Sequence, residues 1–318
     1  MSIEHISVTV VIPAYNEEAN VARAVGQVLG EPWPATCALD RVIVVDDCST
    51  DGTRSIAEDM ARRDARVVLV QNARRSGKNA GIRAAAAASR SDILAVVDAD
   101  VLYAPGCLAR TIELLADNDT LMGVSCIIEP LPAQSWRERA SRSQALLVAA
   151  LKRRGHAYLS AVYAIKAPAF GALNIPDGVA DDAYITCWLR AHNYRYAVCS
   201  DAVAYIRAAT GLRDFAKQTL RGRRGDVSTR QAVPGSVPLL RRRVLAHAIT
   251  RAFGQDPLGF LLYVAWYAII LMTPTHVWLP SVNLSTFDSA TSTKDVTAYL
   301  SPGAIGDAKV ARIDSGLS

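Results

Sequence analysis

The sequence lacks the short patterns that mark several common classes of protein. Its six cysteines form no Cys-x-x-Cys pair and have no spacing typical of a metal site. We therefore expect them to be reduced, small apolar residues in a reducing compartment. No Gly-x-Gly-x-x-Gly follows the first apolar run, and no Gly-x-x-x-x-Gly-Lys-[Ser/Thr] occurs anywhere. Dinucleotide binding and phosphate-loop hydrolysis of nucleoside triphosphates thus lose their main support.

A secretory signal is also missing from the amino-terminal stretch. Residues 1–18, MSIEHISVTVVIPAYNEE, contain acids and a proline. A signal needs a basic start and an uninterrupted apolar run at this place. We therefore expect the bulk of the protein to stay in the cytoplasm.

Charged residues are scarce and unevenly placed. They make up 20% of the 318 residues against 51% hydrophobic residues, and the mean hydropathy is +0.15. The chain can bury a core in one large domain or two modest ones, and we expect some of its surface to meet lipid. Residues 213–251 hold nine Arg and Lys217 against Asp214 and Asp226, within a net charge of +5. Such a local positive field suits phosphate-rich partners or an anionic membrane face.

Short β-branched runs alternate with alanine-rich stretches in the first half of the chain. This pattern predicts parallel strands joined by crossover helices. Strands are predicted at residues 8–12, 41–45, 67–70, 93–97 and 122–128, and helices at residues 19–29, 53–63, 82–89 and 105–115. Open sheets of this kind bind ligands at the carboxyl ends of their strands. The polar residues that end the first, second and fourth strands should therefore converge on one cleft: residues 15–17, Asp46, Asp47, Asp98 and Asp100.

Two carboxylates one residue apart end the most apolar of these runs. Asp98 and Asp100 follow residues 93–97 directly. Holding such a pair beside a packed core is costly unless a cation neutralises it, and a divalent metal is the obvious candidate. On a strand, both side chains would point to the same side. The alternative is a solvated turn after a strand.

Four segments occur in a particular order along the chain: TVVIPAYNEE at 9–18, VVDDCSTDGT at 44–53, SGKNAG at 76–81 and AVVDAD at 95–100. This arrangement resembles the nucleotide-sugar-dependent glycosyltransferases of the GT-A fold, specifically the inverting family 2. The resemblance covers about residues 8–225. It implies an α/β fold, a Rossmann-like, mostly parallel sheet flanked by helices, with a C-terminal helical region that associates with a membrane.

The resemblance also implies roles for the donor site. A hard divalent cation, Mg²⁺ or Mn²⁺, would offset the charge of the leaving diphosphate. Asp100 would ligate this metal, and Asp98 would contact the ribose and reach the metal through a water. The other residues carried over by motif are Pro13, Ala14 and Tyr15 against the base, Glu17 nearby, Asp47 as acceptor of a hydrogen bond from the base, and Lys78 near the nucleotide or its phosphates. Taken alone, Tyr15 could be a core aromatic and Lys78 a solvated loop residue.

Inversion at the anomeric carbon needs a base that deprotonates the acceptor hydroxyl as it attacks. Residues 178–184, GVADDAY, resemble the family's acidic acceptor motif. The resemblance makes Asp182 the catalytic base, with Asp181 beside it. The alternative is that both acids cap the helix predicted at residues 181–191.

Residues 215–225, FAKQTLRGRRG, resemble the Gln-x-x-Arg-Trp element of membrane-linked members of the family. Gln218 and Arg221 are in place, but Gly222 replaces the Trp. This loss argues against processive polymer synthesis. Arg221 would reach the departing diphosphate, whereas Arg223 and Arg224 also suit a solvated basic face.

The C-terminal part divides into a basic, apolar region and a polar tail. Residues 257–273, PLGFLLYVAWYAIILMT, carry no charge and are just long enough for a membrane span. They predict either a membrane-embedded or deeply interfacial helix, or the buried hairpin helix of a soluble protein. Residues 134–154 predict a helix with an apolar middle and basic ends, which covers the core or touches a membrane. Further elements are predicted within 161–172 (a strand and a helix) and around Tyr196 and Val203 (short strands).

We accordingly divide the chain into a donor half (1–130), an acceptor half of the same domain (131–232), a helical region with membrane affinity (233–282) and a disordered tail (283–318). The expected activity is metal-dependent transfer of a sugar from a nucleotide-sugar, with UDP favoured because of Asp47, at the cytoplasmic face of a membrane. The acceptor is a carbohydrate, a lipid-linked or a small-molecule hydroxyl, and nucleic acid is not an expected partner. The alternatives are transfer to a polyprenyl phosphate and a non-catalytic sugar-nucleotide-binding protein.

Overall fold

A mixed β-sheet with helices on both faces forms the body of the protein. The structure is a computed structural model that describes residues 5–155, 158–159, 161–234 and 241–278. The strands are β1 (Ile6–Ala14), β2 (Cys37–Asp46), β3 (Val67–Gln71), β4 (Ile93–Val97), β5 (Leu102–Tyr103), β6 (Leu121–Pro130), β7 (Val162–Lys166) and β8 (Arg195–Ile206). The helices are α1 (Val21–Leu29), α2 (Thr53–Arg63), α3 (Lys78–Ala88), α4 (Cys107–Ala116), α5 (Trp136–Lys152), α6 (Ala167–Ala172), α7 (Asp181–Ala191), α8 (Leu212–Ala232), α9 (Arg242–Gln255), α10 (Pro257–Met272) and α11 (Thr275–Trp278).

The sheet order is β3-β2-β1-β4-β7-β6-β8-β5. The first four of these strands are mutually parallel, as predicted, and β6 and β8 are parallel to each other. Strand β7 lies between β4 and β6 and is antiparallel to both, and β5 is antiparallel to β8. The sheet is therefore less uniformly parallel than the strand-helix alternation of the first half predicts.

Strand β4 shows why this sequence forms a central strand. Its five residues are all at most 2% exposed. Ile93, Ala95 and Val97 pack in the core on one face, with α1, α2 and α4, whereas Leu94 and Val96 pack on the other face with α3, α6 and α7. Side chains alternate along a strand, so a strand buried on both faces must be apolar at every position. Each fully buried Val, Leu or Ile contributes about 1.5–3 kcal/mol.

Helix α3 begins earlier than its sequence predicts. It starts at Lys78 rather than residue 82, after Gly77, whose φ of 86° is in the left-handed region that favours glycine. Gly81 lies inside the helix. A larger residue would not fit there, because its Cβ would be 2.9 Å from Val45 Cγ1 on β2. Gly77 thus serves the turn into the helix, and Gly81 its close packing on the sheet.

The two short strands predicted around Tyr196 and Val203 are one strand, β8. Its pairing with β6 shifts register between Cys126 and Ile127. The break in the apolar pattern at Ser200 and Asp201, both exposed, is therefore an irregularity within a strand rather than a loop.

A helical hairpin formed by α9 and α10 packs on α5 and α8. Trp266 and Ile270 of α10 are buried against Phe215 of α8, and Asp256 at the start of α10 pairs with Arg139 of α5. The opposite face of α10 is exposed. Helix α10 has 16 residues, and in the described ranges we find no helix of sufficient length and apolarity to cross a bilayer. The predicted tail, 283–318, lies outside the described residues.

Candidate active site

A cavity of about 460 Å³ opens at the carboxyl ends of β1, β2 and β4. One side, here called the strand-end wall, consists of residues that end or follow these strands: Pro13, Ala14, Tyr15, Glu17, Asp47, Asp98 and Asp100. The other side, the helical wall, comes from α7 and α8: Asp181, Asp182, Gln218, Arg221 and Gly222. Lys78, at the start of α3, also lines the cavity. Every residue predicted to have a catalytic, donor-binding or metal-binding role therefore lines one cavity. Asn16 and Asp46, also expected at this cleft, are not among the lining residues.

Asp98 and Asp100 project from a turn. Strand β4 ends at Val97, and the backbone N–H of Val101 donates to the carbonyl of Asp98 at 3.3 Å. The backbone N–H of Asp98 in turn donates to the carbonyl of Ala161 at 3.1 Å. We expected the alternation of side chains along a strand to align the two carboxylates, but neither residue lies on the strand. A hydrogen-bonded turn holds them at the cavity instead.

Lys78 connects the two walls. Its Nζ lies 2.7 Å from Asp98 Oδ1 and 3.0 Å from Asp181 Oδ2. Burial alone would lower the pKa of Lys78, but Asp181 and Asp98 outweigh it and raise that pKa above its ordinary value. Lys78 is therefore a permanent cation at the centre of a cluster of carboxylates.

The two acids at the start of α7 have different surroundings. Asp181 Oδ2 accepts a hydrogen bond from the Tyr163 hydroxyl at 3.2 Å in addition to its pair with Lys78. Asp182 Oδ1 accepts from the backbone N–H of Ala183 at 2.7 Å. Asp182 therefore makes a local contact within the first turn of α7, whereas the contacts of Asp181 reach across the site. The capping alternative was wrong, because the N-cap of α7 is Ala180 and no side chain caps this helix.

Burial shifts the proton equilibria of the carboxylates. It raises the pKa of Asp182 to about 7, assisted by Asp181 and opposed by Lys78. It raises the pKa of Asp98 to about 6, again opposed by Lys78. A carboxylate with a pKa near neutrality can both accept and return a proton at physiological pH. Asp182 therefore has the acid–base property that proton abstraction requires.

Asp47 orders the loop that precedes α3. Its Oδ1 accepts hydrogen bonds from Asn72 Nδ2 at 2.8 Å and from the backbone N–H of Ser76 at 2.7 Å, and its Oδ2 accepts from the backbone N–H of Gly77 at 2.8 Å. This loop also carries Arg75, whose guanidinium lies 3.7 Å from the ring centroid of Tyr15. Asp47 thus shapes the part of the strand-end wall that surrounds Tyr15.

Three further polar residues line the cavity that the motifs did not single out: Arg75, Asn79 and Arg207. Asn79 Nδ2 donates to the carbonyls of Pro176 and Val179, at 2.9 and 3.0 Å, and so ties α3 to the segment before α7. Arg207 follows β8 and lies 3.7 Å from Glu138 of α5. The basic pair before SGKNAG was a usable signal for Arg75, but Arg207 belongs to no local motif.

Arg221 is the cation of the helical wall. Burial lowers its pKa, while Asp100, Asp182, Asp98 and Asp181 oppose that shift. Gly222 lies next to it, and a Cβ placed there would meet nothing within 4 Å. The replacement of the expected Trp by Gly222 thus leaves open space beside Arg221.

Residues 9–174, just over half of the chain, match the family model "Glycosyl transferase family 2". The chain belongs to this family. Among curated relatives, succinoglycan biosynthesis protein ExoU of Rhizobium meliloti (strain 1021) is 34% identical over 116 residues, which are 35% of this chain and 32% of the relative. The undecaprenyl-phosphate 4-deoxy-4-formamido-L-arabinose transferase of Pseudomonas aeruginosa (strain LESB58) is 33% identical over 139 residues, 42% of this chain and 39% of the relative. The matches span well under half the length of these relatives.

Solved structures show that this glycosyltransferase has the GT-A fold. The mannosyltransferase PcManGT from Pyrobaculum calidifontis, in complex with GDP-Man and Mn²⁺, superposes with a TM-score of 0.53 at 23% identity, covering 86% of this chain and 83% of that one. TarS 1–349 of S. aureus, in complex with UDP-GlcNAc, gives a TM-score of 0.50 at 16% identity, covering 83% and 80%. At these identities the likeness concerns the fold.

The carboxylates of this family 2 glycosyltransferase suit a divalent cation that binds together with a substrate phosphate group. Within the described residues, no group of three or more His, Cys, Asp and Glu side chains is arranged to hold a metal ion. Asp98 and Asp100 do supply the hard oxygen ligands that Mg²⁺ and Mn²⁺ prefer. Mg²⁺ is usually bound through one or two carboxylates together with substrate phosphates. Asp98 and Asp100 therefore suit a cation that is also coordinated by a diphosphate.

Proposed function

We propose that this glycosyltransferase transfers one sugar, with inversion, from a nucleotide-sugar to an acceptor hydroxyl. The observation that carries the proposal is the meeting of both walls at Lys78, which places Asp98 of one wall and Asp181 of the other within 3.0 Å of one ammonium group. The strand-end wall would hold the donor, and the helical wall would hold the acceptor. A UDP-linked donor is favoured, with Asp47 as acceptor of a hydrogen bond from the base.

In the proposed reaction, Asp182 accepts the proton of the acceptor hydroxyl while the hydroxyl oxygen attacks the anomeric carbon. The bond between that carbon and the diphosphate oxygen breaks at the same time, and the nucleoside diphosphate leaves. A base with a pKa of about 7 is ionised in a large fraction of molecules at neutral pH. Asp182 thus matches the proton transfer that inversion requires.

The leaving diphosphate needs positive charge. Asp100 and Asp98 would hold Mg²⁺ or Mn²⁺, which when bound supplies a Lewis acid and a template for the phosphates. Lys78 and Arg221 are the chain's own cations at the same cavity. Because Lys78 pairs with two carboxylates, a bound diphosphate would compete with them for its ammonium group. This exchange would release Asp98 for ribose or metal.

A donor screen tests the proposal. The purified protein is incubated with labelled UDP- and GDP-sugars, with Mg²⁺, Mn²⁺ or EDTA, and release of free sugar is measured. We expect hydrolysis of at least one donor, abolished by EDTA and by Asp100→Asn. The matched control is Asp201→Asn on β8, where the carboxylate is exposed and accepts from Ser200 Oγ. Donor binding without turnover by any donor would favour a non-catalytic sugar-nucleotide-binding protein.

A second candidate is transfer to a polyprenyl phosphate. One relative is named as an undecaprenyl-phosphate sugar transferase, and Arg207 and Arg221 both line the cavity. A phosphate acceptor is already anionic and needs no base. Asp182→Asn therefore separates the candidates: severe loss of turnover supports a hydroxyl acceptor, and near-normal turnover with a polyprenyl phosphate supports the second.

We further propose that the enzyme works at the inner face of a membrane, bound through the α9–α10 hairpin. The exposed face of α10 carries large apolar side chains: Leu258 (52% exposed), Leu261 (59%), Val264 (49%), Leu271 (51%) and Met272 (85%). Exposed arginines stand at 241–243 and 251. An apolar face beside positive charge suits an anionic bilayer surface.

Vesicle sedimentation tests the membrane proposal. We expect binding to vesicles of phosphatidylcholine with phosphatidylglycerol, weaker binding to phosphatidylcholine alone, and loss of binding in Leu261→Glu. Val227→Glu is the matched control, because Val227 is 55% exposed on α8. Equal binding by wild type and Leu261→Glu, or no binding by the wild type, would contradict this docking surface.

A further inference from the structure

An arginine of α1 lies directly behind the turn that carries Asp98 and Asp100. Arg23 Nη1 donates to the carbonyl of Val101 at 2.9 Å, and Nη2 donates to the carbonyl of Ala99 at 2.9 Å. These carbonyls belong to the residues on either side of Asp100. One planar guanidinium therefore fixes the backbone immediately before and after this carboxylate.

Gln27 of α1 and Asn20, the N-cap of this helix, extend this contact. Gln27 Oε1 accepts from Arg23 Nη1 at 2.7 Å, and Gln27 Nε2 donates to the carbonyl of Tyr103 at 3.1 Å. Asn20 Oδ1 accepts from Arg23 Nη2 at 3.4 Å. Positions 20, 23 and 27 align on one helix face. Together, Arg23 and Gln27 bond to the carbonyls of residues 99, 101 and 103, which are alternate residues of one segment.

The location of Arg23 is costly for a charged group. Burial lowers its pKa to about 10, against the opposing effects of Asp100, Tyr103 and Glu17. Arg23 thus remains protonated at neutral pH, and its positive charge interacts with the charge of Asp100. A neutral side chain could satisfy one carbonyl, but a guanidinium reaches two carbonyls in a fixed geometry and also adds charge.

We propose that Arg23 is the positioning residue for Asp100: it holds the turn of residues 98–101 so that the carboxylate is directed at the metal–diphosphate. The inference rests on the proposed function, because it assumes that Asp100 ligates a divalent cation. Arg23 itself lies outside the residues that line the cavity. Outer residues that orient a metal ligand typically change metal affinity by about 10–100-fold when replaced.

The test measures Mn²⁺ binding directly, without turnover. Free Mn²⁺ is titrated by electron paramagnetic resonance in the presence of UDP for wild type, Arg23→Lys, Arg23→Gln and Gln27→Met. We expect the apparent Kd for Mn²⁺ to rise roughly tenfold in Arg23→Lys and up to about 100-fold in Arg23→Gln. Gln27→Met, which disturbs the same contacts from a neutral side chain, should raise it by less.

Arg110→Lys is the matched control, because Arg110 Nη2 also donates to a backbone carbonyl, that of Pro105, at 3.1 Å, but away from the cavity. The affinity for UDP in EDTA should change less than twofold in every variant. The substitutions would misplace the carboxylate that binds the metal but leave the nucleotide pocket intact. Rescue in kcat by saturating Mn²⁺ would support a positioning role.

Two outcomes separate the inference from the proposed function. If the wild type and Arg23→Lys bind Mn²⁺ equally in the presence of UDP, or if Arg110→Lys loses as much affinity, the inference is wrong while the proposed function stands. If the wild type binds no Mn²⁺ with UDP, the proposed function fails and the inference fails with it. Gln27→Met decides the matter should Arg23→Gln not fold.

Discussion

The strand-end wall and the helical wall of the cavity are held in different ways. On the strand-end wall, Asp47 accepts three hydrogen bonds from the loop before α3, and Arg23 bonds to the backbone of the turn that carries Asp98 and Asp100. On the helical wall, Asp181 is held chiefly by side-chain contacts with Lys78 and Tyr163. The backbone of the first wall is therefore held without Lys78, whereas Asp181, like the carboxylate of Asp98, pairs with an ammonium group that a ligand can displace.

This difference matches the two tasks we propose. Recognition of a nucleotide and a diphosphate benefits from fixed donors and acceptors, because little ordering has to accompany binding. Proton abstraction needs a group whose protonation responds to its surroundings, and Asp182, with its pKa raised to about 7, is such a group.

Removing one carboxylate from each wall should disable different steps. Asp182→Asn should lower kcat for transfer to a hydroxyl by about 10²–10⁴-fold, the range typical of acid–base catalysis. Asp100→Asn should abolish metal-dependent donor hydrolysis as well, because hydrolysis depends on the strand-end wall. Donor hydrolysis and transfer are measured separately for both variants. Equal losses in the two assays for both variants would contradict the division between the walls.

Replacing Lys78 should weaken the link between the two walls and shift the pH dependence of the rate to higher pH. Lys78 lowers the pKa of both Asp98 and Asp182, so Lys78→Met should raise both. The proposed reaction uses ionised Asp182, so the rate should rise with pH through about 7 in the wild type. In Lys78→Met this limb should lie at higher pH, with a loss on the order of tenfold at pH 7.

The matched control for this profile is Lys217→Met. Lys217 is a half-exposed lysine of α8 that lies 4.0 Å from Asp214. Its replacement should leave the acidic limb of kcat/KM where it is in the wild type. An unshifted limb in Lys78→Met would show that the ammonium group does not control the base.

The strand-end wall could be predicted from the sequence because its residues follow local signals. The end of each strand, and the Asp98–Asp100 pair after β4, can be recognised from a few consecutive residues. Helix α7 also begins at the predicted acids. Strand β7 between β4 and β6, the bridge from Lys78 to Asp181, and Arg207 depend on contacts between distant segments. Period and spacing carry no information about such contacts. The same limit applies to Arg23, which looks like any polar residue of an amphipathic helix.

The helical wall should also cost stability at high pH. Asp182 has a folded-state pKa of about 7, above its ordinary value, because burial disfavours the charge. The folded state therefore binds the proton more tightly, and this contribution to the free energy of unfolding is lost as pH rises from about 4 through 7. Asp182→Asn should then have a Tm a few degrees above that of the wild type at pH 8 and a similar Tm at pH 4.

Thermal unfolding followed by circular dichroism at both pH values checks this, with Asp201→Asn as the control at an exposed site. The control should leave the Tm unchanged at both pH values. A lower Tm for Asp182→Asn at pH 8 would mean that its bond to the backbone of Ala183 outweighs the cost of burying its charge.

The smallest effect is expected where the helical wall is open. A Cβ at Gly222 meets nothing within 4 Å, so Gly222→Trp should fold with a Tm within about 2 °C of the wild type, since helix interiors also disfavour Gly relative to larger residues. An aromatic ring beside Arg221 would narrow the acceptor end of the cavity. We expect the KM for the acceptor to change severalfold while the KM for the donor, held by the strand-end wall, stays constant.

Gly225→Trp is the contrasting variant, because a Cβ at Gly225 would lie 2.9 Å from Ala180 Cβ and the ring would push α8 away from α7. A change in donor KM with Gly222→Trp would show that the two walls do not act separately.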